Sequence, residues 1–177
     1  MKPRLIIFTD VGDTIIDEGT EVRKVPFGVV YHARCIPGAR ETMTELYNRG
    51  YTVAMVADGL VESFHNTMRE NGLLHIFSAE AISEALSSEK PSALMFRTAM
   101  DRLRLTEADK RRVIMVGNNI RRDVVGANRF GIRSVLLTWS PRYRYEPSCP
   151  EETPTYRIAS PEELLPLAEK LNAELSV

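Results

Sequence analysis

Residues 5–14 read LIIFTDVGDT and carry the strongest structural signal of this 177-residue chain. The first four of them are all apolar, and the carboxylate of Asp10 follows almost at once. A short run that is apolar throughout is typical of a strand covered on both faces in a parallel sheet. An aspartate at the end of such a strand can attack phosphorus, bind a metal ion or do both. Asp10 is therefore the first candidate for a functional residue.

Three further apolar runs, at residues 53–56, 113–116 and 135–137, predict strands of the same kind. Apolar residues at helical spacing predict helices in the other segments, at residues 39–48, 61–70, 93–104, 121–129 and 161–171. This alternation of strands and helices predicts an α/β fold built on a doubly wound parallel sheet.

Two segments stand outside this alternation. Residues 17–36 contain Gly19, Pro26 and Gly28 and are too few for a separate domain. We expect a single domain, residues 1–177, with a short flap-like insert at about 17–36 and no cap domain. Residues 139–154 predict a long loop of functional or mobile character.

Composition and charge narrow the class of protein. The hydrophobic fraction of 44% and the charged fraction of 27% are those of an ordinary globular protein. The net charge of -1 argues against binding to nucleic acid or to an anionic membrane. Cys35 and Cys149 form no CxxC pair, and the chain has neither a membrane-length apolar run nor a signal-peptide pattern. We therefore expect reduced thiols and a cytoplasmic location.

Polar residues gather where the predicted strands end, which is where open parallel sheets bind their ligands. They are Asp10, Asp13 and Thr14 after the first strand, Asp58 and Gly59 after the second, and Asn118 and Asp123 after the third; Lys90 lies just before a predicted helix. Two carboxylates about 4 Å apart repel by roughly 1–4 kcal/mol at effective dielectrics between water and a protein surface. Asp10 and Asp123, brought together, would attract a cation, and Mg²⁺ prefers such oxygen ligands.

In this order, these residues resemble the motifs of the haloacid dehalogenase (HAD) superfamily, whose members are mostly Mg²⁺-dependent phosphatases. The family's motifs are Asp-x-Asp-x-Thr, a strand ending in Ser or Thr, a lysine, and acidic residues. The resemblance covers residues 4 to about 171 and implies a Rossmann-like HAD fold of the capless type.

The resemblance also implies residue roles. Asp10 is the nucleophile that forms an aspartyl-phosphate, Thr14 supports its loop, and Lys90 steadies the nucleophile and the phosphate. The substrate-binding loop of the second motif corresponds to Ala57, Asp58 and Gly59. The ligands of Mg²⁺ correspond to Asp10, the backbone carbonyl of Gly12, Asn118 and Asp123.

Three positions depart from the family pattern. Gly12 replaces the aspartate that normally protonates the leaving group, Ala57 replaces a hydroxyl that contacts the phosphate, and Asn118 replaces an acidic metal ligand. Asp13 is a candidate to stand in as the acid, although one step along the backbone redirects a side chain. Because losing a positioned general acid costs about 10²–10⁴ in rate, we expect reduced or unusual activity.

The leading hypothesis is hydrolysis of phosphate monoesters. The alternatives are a non-catalytic, phosphate- or metal-binding regulatory module on the same fold, and a hydrolase of the dehalogenase or phosphonatase type. A capless site favours a homo-oligomer or a macromolecular phosphoester, so the predicted partner is a phosphorylated substrate, small or macromolecular. The run RYRY at residues 142–145 interleaves basic and aromatic residues as single-strand binders do, but the net charge favours a simple exposed loop.

Overall fold

The computed structural model describes residues 4–26 and 28–175. Its strands, in chain order, are β1 (Ile6–Thr9), β2 (Val22–Lys24), β3 (Val29–His32), β4 (Thr52–Ala57), β5 (Phe77–Ile82), β6 (Val113–Gly117), β7 (Arg133–Leu137) and β8 (Tyr156–Ile158). Its helices are α1 (Ala39–Asn48), α2 (Val61–Glu70), α3 (Ser83–Leu86), α4 (Ala93–Arg102), α5 (Val125–Phe130) and α6 (Leu164–Glu174). Within the described ranges, no helix has the length and apolarity that a membrane crossing requires.

Six strands form one parallel sheet in the order β5-β4-β1-β6-β7-β8. Successive residues of β1 face opposite sides of it: Ile7 belongs to an apolar cluster with Leu46 of α1, and Phe8 to another with Phe96 of α4. Burying each such side chain contributes about 1.5–3 kcal/mol to folding. Helices on both faces confirm the predicted doubly wound α/β fold.

The four predicted strands are present, but the sequence did not reveal β5 and β8. Both are edge strands of the sheet. In β5, Ser78 is exposed and Glu80 is only partly buried, and β8 has only three residues. An edge strand with polar positions, or a very short one, lacks the continuous apolar run that marks a central parallel strand.

Three helix predictions need correction at their ends. The helix predicted at 161–171 begins as a short turn, Pro161–Glu163, and α6 itself ends at Glu174. The helix predicted at 93–104 ends at Arg102, and the one predicted at 121–129 begins instead as a wide turn, Ile120–Val124, that leads into α5. The Asn119 side chain accepts hydrogen bonds from the amides of Arg121 and Arg122, at 3.0 and 3.1 Å, and so holds the first turn.

The insert at residues 17–36 forms an antiparallel hairpin, β2 paired with β3. The hairpin is docked on α2: the Val30 amide donates to Ser63 Oγ at 2.9 Å, and Asn66 Nδ2 donates to the Val30 carbonyl at 3.2 Å. His32 Nδ1 and Glu70 Oε1 also form a hydrogen bond between the hairpin and α2. These contacts hold the hairpin beside the carboxyl end of the sheet.

Candidate active site

Asp10 lies at the carboxyl end of the central strand β1. Its amide donates to the Val116 carbonyl at 2.9 Å, which ties the start of the loop to β6. Lys90 Nζ donates to Asp10 Oδ1 at 2.8 Å and to the Val56 carbonyl at the end of β4, also at 2.8 Å. The Asp10 side chain stays 15% exposed, so a solute can reach the carboxylate that Lys90 orients.

Lys90 brings together carboxylates from three separate loops. Its ammonium lies 2.7 Å from Asp123 Oδ1 and 4.0 Å from Asp58 Oδ2, in addition to its bond to Asp10. Burial alone lowers the pKa of Lys90, but the charges of Asp10, Asp123 and Asp58 raise it by more. Lys90 is therefore a buried ammonium at neutral pH, and the predicted meeting of residues 10, 90 and 123 is present in the structure.

Asp123 reaches this cluster because the end of β6 is a glycine. A Cβ atom on Gly117 would overlap Asp123 Cγ and lie 2.7 Å from its Cβ. The Asn119 amide donates to Asp123 Oδ2 at 2.9 Å and fixes the side chain. Burial raises the pKa of Asp123, while Lys90 opposes that rise. The carboxylate is stable in its ionised form only while a cation lies beside it.

The donor set fits a magnesium ion of modest affinity. Asp10 and Asp123 line one cavity together with the buried amide of Asn118, and the carboxylates around Lys90 outnumber its single charge. Among the described residues, no group of three or more His, Cys, Asp or Glu side chains has a metal-binding arrangement. Mg²⁺ is commonly held by one or two carboxylates and keeps several waters, so two carboxylates and an amide oxygen suffice.

A cavity of about 430 Å³ opens above these residues. Its floor is charged, and its walls come from other parts of the fold: Arg23 and Val30 of the hairpin, Phe64 of α2 and Tyr143 of the loop at 139–154. The hairpin and the loop therefore cover a site that the sheet alone would leave open. The walls combine charged side chains such as Arg23 with apolar ones such as Val30 and Phe64, a mixture that suits a small organic anion.

The loop at 139–154 is anchored by a buried carboxylate. Asp13 is fully buried, and Arg142 grips it with two nitrogens, Nε at 2.8 Å from Oδ2 and Nη2 at 2.6 Å from Oδ1. Ser140 Oγ donates to Asp13 Oδ2 at 2.8 Å, and Arg142 Nη2 also reaches Asp17 at 2.6 Å. Arg142 thus anchors the run at 142–145, in which both arginines are exposed, as expected of a surface loop, and both tyrosines are half-buried.

Comparison with known proteins identifies the family. Residues 11–137 match the family model described as haloacid dehalogenase-like hydrolase. The chain belongs to this family. Two curated relatives are phosphatases by name, and solved structures share the fold.

A glyceraldehyde 3-phosphate phosphatase from Methanopyrus kandleri is 28% identical over 135 residues, covering 76% of this chain and 57% of the relative. A phosphoserine phosphatase from Thermus thermophilus is 31% identical over 135 residues, covering 76% and 51%. The chain thus spans about half the length of these curated relatives. A HAD-superfamily hydrolase from Ehrlichia chaffeensis superposes with a TM-score of 0.75 at 14% identity, covering 97% of this chain and 98% of that one, a likeness of fold alone.

The HAD motif positions are not all at the cavity. Asp58 and Gly59 line it, and Asp58 Oδ1 accepts the Lys90 amide at 2.9 Å. Burial raises the pKa of Asp58, and Lys90 lowers it in part. The expectation that Ala57 contacts substrate is corrected: Ala57 is fully buried, pairs with Ile82 of β5 and does not line the cavity.

Two expectations for the HAD nucleophile loop are also corrected. Asp13 cannot stand in as an acid, because both its oxygens accept hydrogen bonds and it does not line the cavity. Burial alone would raise the pKa of Asp13, but hydrogen bonds from Arg142, Ser140 and the Glu18 amide lower it below its usual range, so it carries no proton at neutral pH. Thr14 is buried, and its hydroxyl makes no hydrogen bond within the described chain, so it supports the loop by packing.

Sequence reasoning missed Glu18 and Tyr143, which both line the cavity. Tyr143 Oη donates to Glu18 Oε2 at 3.2 Å. Burial raises the pKa of Glu18, as do the charges of Asp13, Glu21 and Asp10. Burial, reinforced by Glu18, raises the pKa of Tyr143 to about 12. The sequence offered one signal, the missing acid at position 12. That signal alone does not indicate Glu18, which lies six residues further along the chain.

Proposed function

We propose that this protein is a Mg²⁺-dependent phosphatase that hydrolyses phosphate monoesters through an aspartyl-phosphate on Asp10. One observation carries the proposal: a buried ammonium, Lys90, lies 2.8 Å from Asp10 Oδ1 and 2.7 Å from Asp123 Oδ1 beneath an open cavity. The names of the relatives, glyceraldehyde 3-phosphate phosphatase and phosphoserine phosphatase, support phosphate ester hydrolysis.

Each residue of the site has its own role in the proposed reaction. Lys90 orients Asp10 through its hydrogen bond, so that a carboxylate oxygen can attack phosphorus while the bond to the leaving oxygen breaks. The Lys90 ammonium also attracts the phosphoryl oxygens into the cavity. Mg²⁺, when held by Asp10, Asp123 and Asn118, would supply further charge to neutralise the phosphoryl group. Phosphoryl transfer depends mainly on such positioning and charge stabilisation.

The shape of the cavity favours a small substrate. The hairpin and the loop at 139–154 enclose a space of about 430 Å³, and Val30, Leu60 and Phe64 offer apolar contact to the organic part of the ester. A macromolecular phosphoester would have to displace these elements. The cytoplasmic location and the homo-oligomer stay predictions from sequence.

Phosphate release tests the proposal. Purified protein is incubated with a small alkyl phosphate and with an aryl phosphate, with Mg²⁺ or with excess chelator. We expect Mg²⁺-dependent release that is abolished in Asp10→Asn and retained in Asp101→Asn, an exposed residue of α4 that makes the same chemical change far from the cavity.

Two outcomes would contradict the proposal. Equal turnover by Asp10→Asn and the parent would remove Asp10 from the chemistry. Trapping of beryllofluoride without turnover on a broad panel of phosphoesters would favour the non-catalytic module, and chloride release from a 2-haloacid would favour a dehalogenase.

A further inference from the structure

The carboxylate of Glu18 occupies the space that a side chain at position 12 would need. A Cβ atom on Gly12 would overlap Glu18 Oε1 and lie 3.0 Å from its Cδ. Gly12 stands where the HAD motif normally carries its second aspartate. A different chain segment, the short turn Glu18–Thr20, therefore delivers a carboxyl group to the place from which the motif's own acid is missing.

We propose that Glu18 is the acid–base residue of this site, the catalytic group that exchanges protons with the leaving oxygen and with the attacking water. The proposal rests on the proposed phosphatase function and adds to it the residue that handles the proton. Gly12 is then a requirement of this arrangement, because any side chain there would expel the Glu18 carboxylate.

Elimination among the acidic residues that line the cavity supports the same assignment. Asp10, Asp58 and Asp123 all face the ammonium of Lys90, and Glu21 pairs with Arg23. Within residues 4–26 and 28–175, Glu18 has no cation at ion-pair distance, and its Oε2 accepts the Tyr143 hydroxyl. Among the described acidic residues that line the cavity, Glu18 is therefore the one whose carboxylate no cation holds.

Several contacts fix where Glu18 points. Its amide donates to Asp13 Oδ1 at 3.0 Å, and Asp13 is in turn gripped by Arg142. Tyr143, the next residue of that loop, contacts the Glu18 carboxylate from the other side. The buried Asp13 thus positions the acid instead of serving as one.

The proposed reaction has two steps, and Glu18 transfers a proton in each. As an Asp10 oxygen bonds to phosphorus, the bond from phosphorus to the leaving oxygen breaks, and its electron pair goes to that oxygen. The leaving oxygen takes the proton of the Glu18 carboxyl and departs as an alcohol. Water then attacks the phosphorus of the aspartyl-phosphate, Glu18 takes one of its protons, and the bond to Asp10 breaks to release phosphate.

Leaving-group dependence tests the role of Glu18. An alkyl oxygen needs a proton in order to leave, whereas a 4-nitrophenolate leaves readily without one. In Glu18→Gln we expect kcat for a small alkyl phosphate to fall by about 10²-fold or more, and kcat for 4-nitrophenyl phosphate to fall by less than about tenfold. Glu21→Gln, the same change at the same cavity, should alter both rates by one common factor.

A second variant tests whether a loss of activity at position 18 reflects only a disrupted fold. Gly12→Asp combined with Glu18→Ala moves the carboxyl back to position 12, and it should regain alkyl phosphate hydrolysis relative to Glu18→Ala alone. Equal loss on both esters in Glu18→Gln, or no loss on either, would overturn the assignment of Glu18 while leaving the phosphatase intact. Failure of the parent to hydrolyse either ester would overturn the proposed function itself, and this inference with it.

Discussion

Lys90 is a single residue that brings three carboxylates of the candidate site together. A lysine before a proline at the start of a helix pattern would by itself be an ordinary surface residue. It became predictable as a site residue only together with Asp10 and Asp123, because the HAD motifs carry an aspartate, a lysine and acidic residues in this order. The distances from its ammonium to Asp10 and Asp123 agree with that expectation.

Removing the Lys90 charge should cost stability as well as activity. In Lys90→Met the buried Asp123 loses its cation, so we expect the free energy of unfolding in metal-free buffer to fall by about 3–5 kcal/mol. Urea denaturation of the variant, compared with Lys170→Met on the exposed end of α6, measures the effect. A loss no larger than that of the control would mean that the cluster around Lys90 is not buried as described.

Asp13 gives a pH prediction of definite sign. Its pKa in the folded protein lies below the unfolded value of about 3.9, so it stabilises the fold above that pH, and this stabilisation is lost as pH falls through the folded pKa. At pH 7 we expect Asp13→Asn to lower the free energy of unfolding by about 1.5–3 kcal/mol, the worth of a charged hydrogen bond.

The control for this prediction is to compare the parent and Asp13→Asn again at acidic pH. Below the folded pKa both carry an uncharged side chain at position 13, so the difference between parent and variant in urea denaturation should shrink. A difference that stays constant from pH 7 down to the acid limit would show that the pairing with Arg142 does not depend on the Asp13 charge.

In the wide turn Ile120–Val124, the structure differs from the regular helix that the sequence predicted. Helical spacing correctly indicated a helical segment after β6, but the capping by Asn119 and the close approach of Asp123 to Gly117 set its first turn. Spacing rules assume a regular helix, so they cannot foresee a side chain that replaces the regular pattern of backbone hydrogen bonds. The central strands, which are apolar throughout, were predictable; the edge strands β5 and β8 were not.

Gly117→Ala tests the end of β6. The added methyl would displace Asp123, and because a misplacement of about 1 Å can cost about 10²-fold in rate, we expect kcat to fall by about tenfold or more. Ala99→Gly is the control, since it removes a methyl group from the core cluster around Phe96, and Ala99 does not line the cavity. The control should lose stability with little change in kcat of the folded protein; equal kcat losses in both variants would refute the special role of Gly117.

Two segments that are far apart in the chain, the hairpin and the loop at 139–154, together cover the site. Asp13 and Arg142 are 129 residues apart in the chain, and their contact brings Tyr143 over the cavity. The sequence indicated a flap-like insert and a long loop, but the residues of neither segment predict which other segment it contacts. Such pairings follow from tertiary packing and not from local pattern, which is why Glu18 and Tyr143 escaped prediction while Asp10, Lys90 and Asp123 did not.

Arg142→Met tests the cover. Without its anchor on Asp13 and Asp17, the loop at 139–154 should release Tyr143, and we expect KM for a small phosphate ester to rise by about tenfold, the cost of one lost charged contact. Arg144→Met, an exposed position on the same loop, is the control. Identical KM values for the two variants would show that the anchor does not organise the cavity.

The most direct measurement is to locate the phosphoryl group during turnover. Protein is mixed with Mg²⁺ and a small acyl or aryl phosphate, quenched in acid and digested, and the peptides are weighed by mass spectrometry. We predict one added phosphoryl group on the peptide that contains Asp10, sensitive to hydroxylamine and missing in Asp10→Asn. Steady phosphate release with no label at Asp10, or with the label on another residue, would contradict the account.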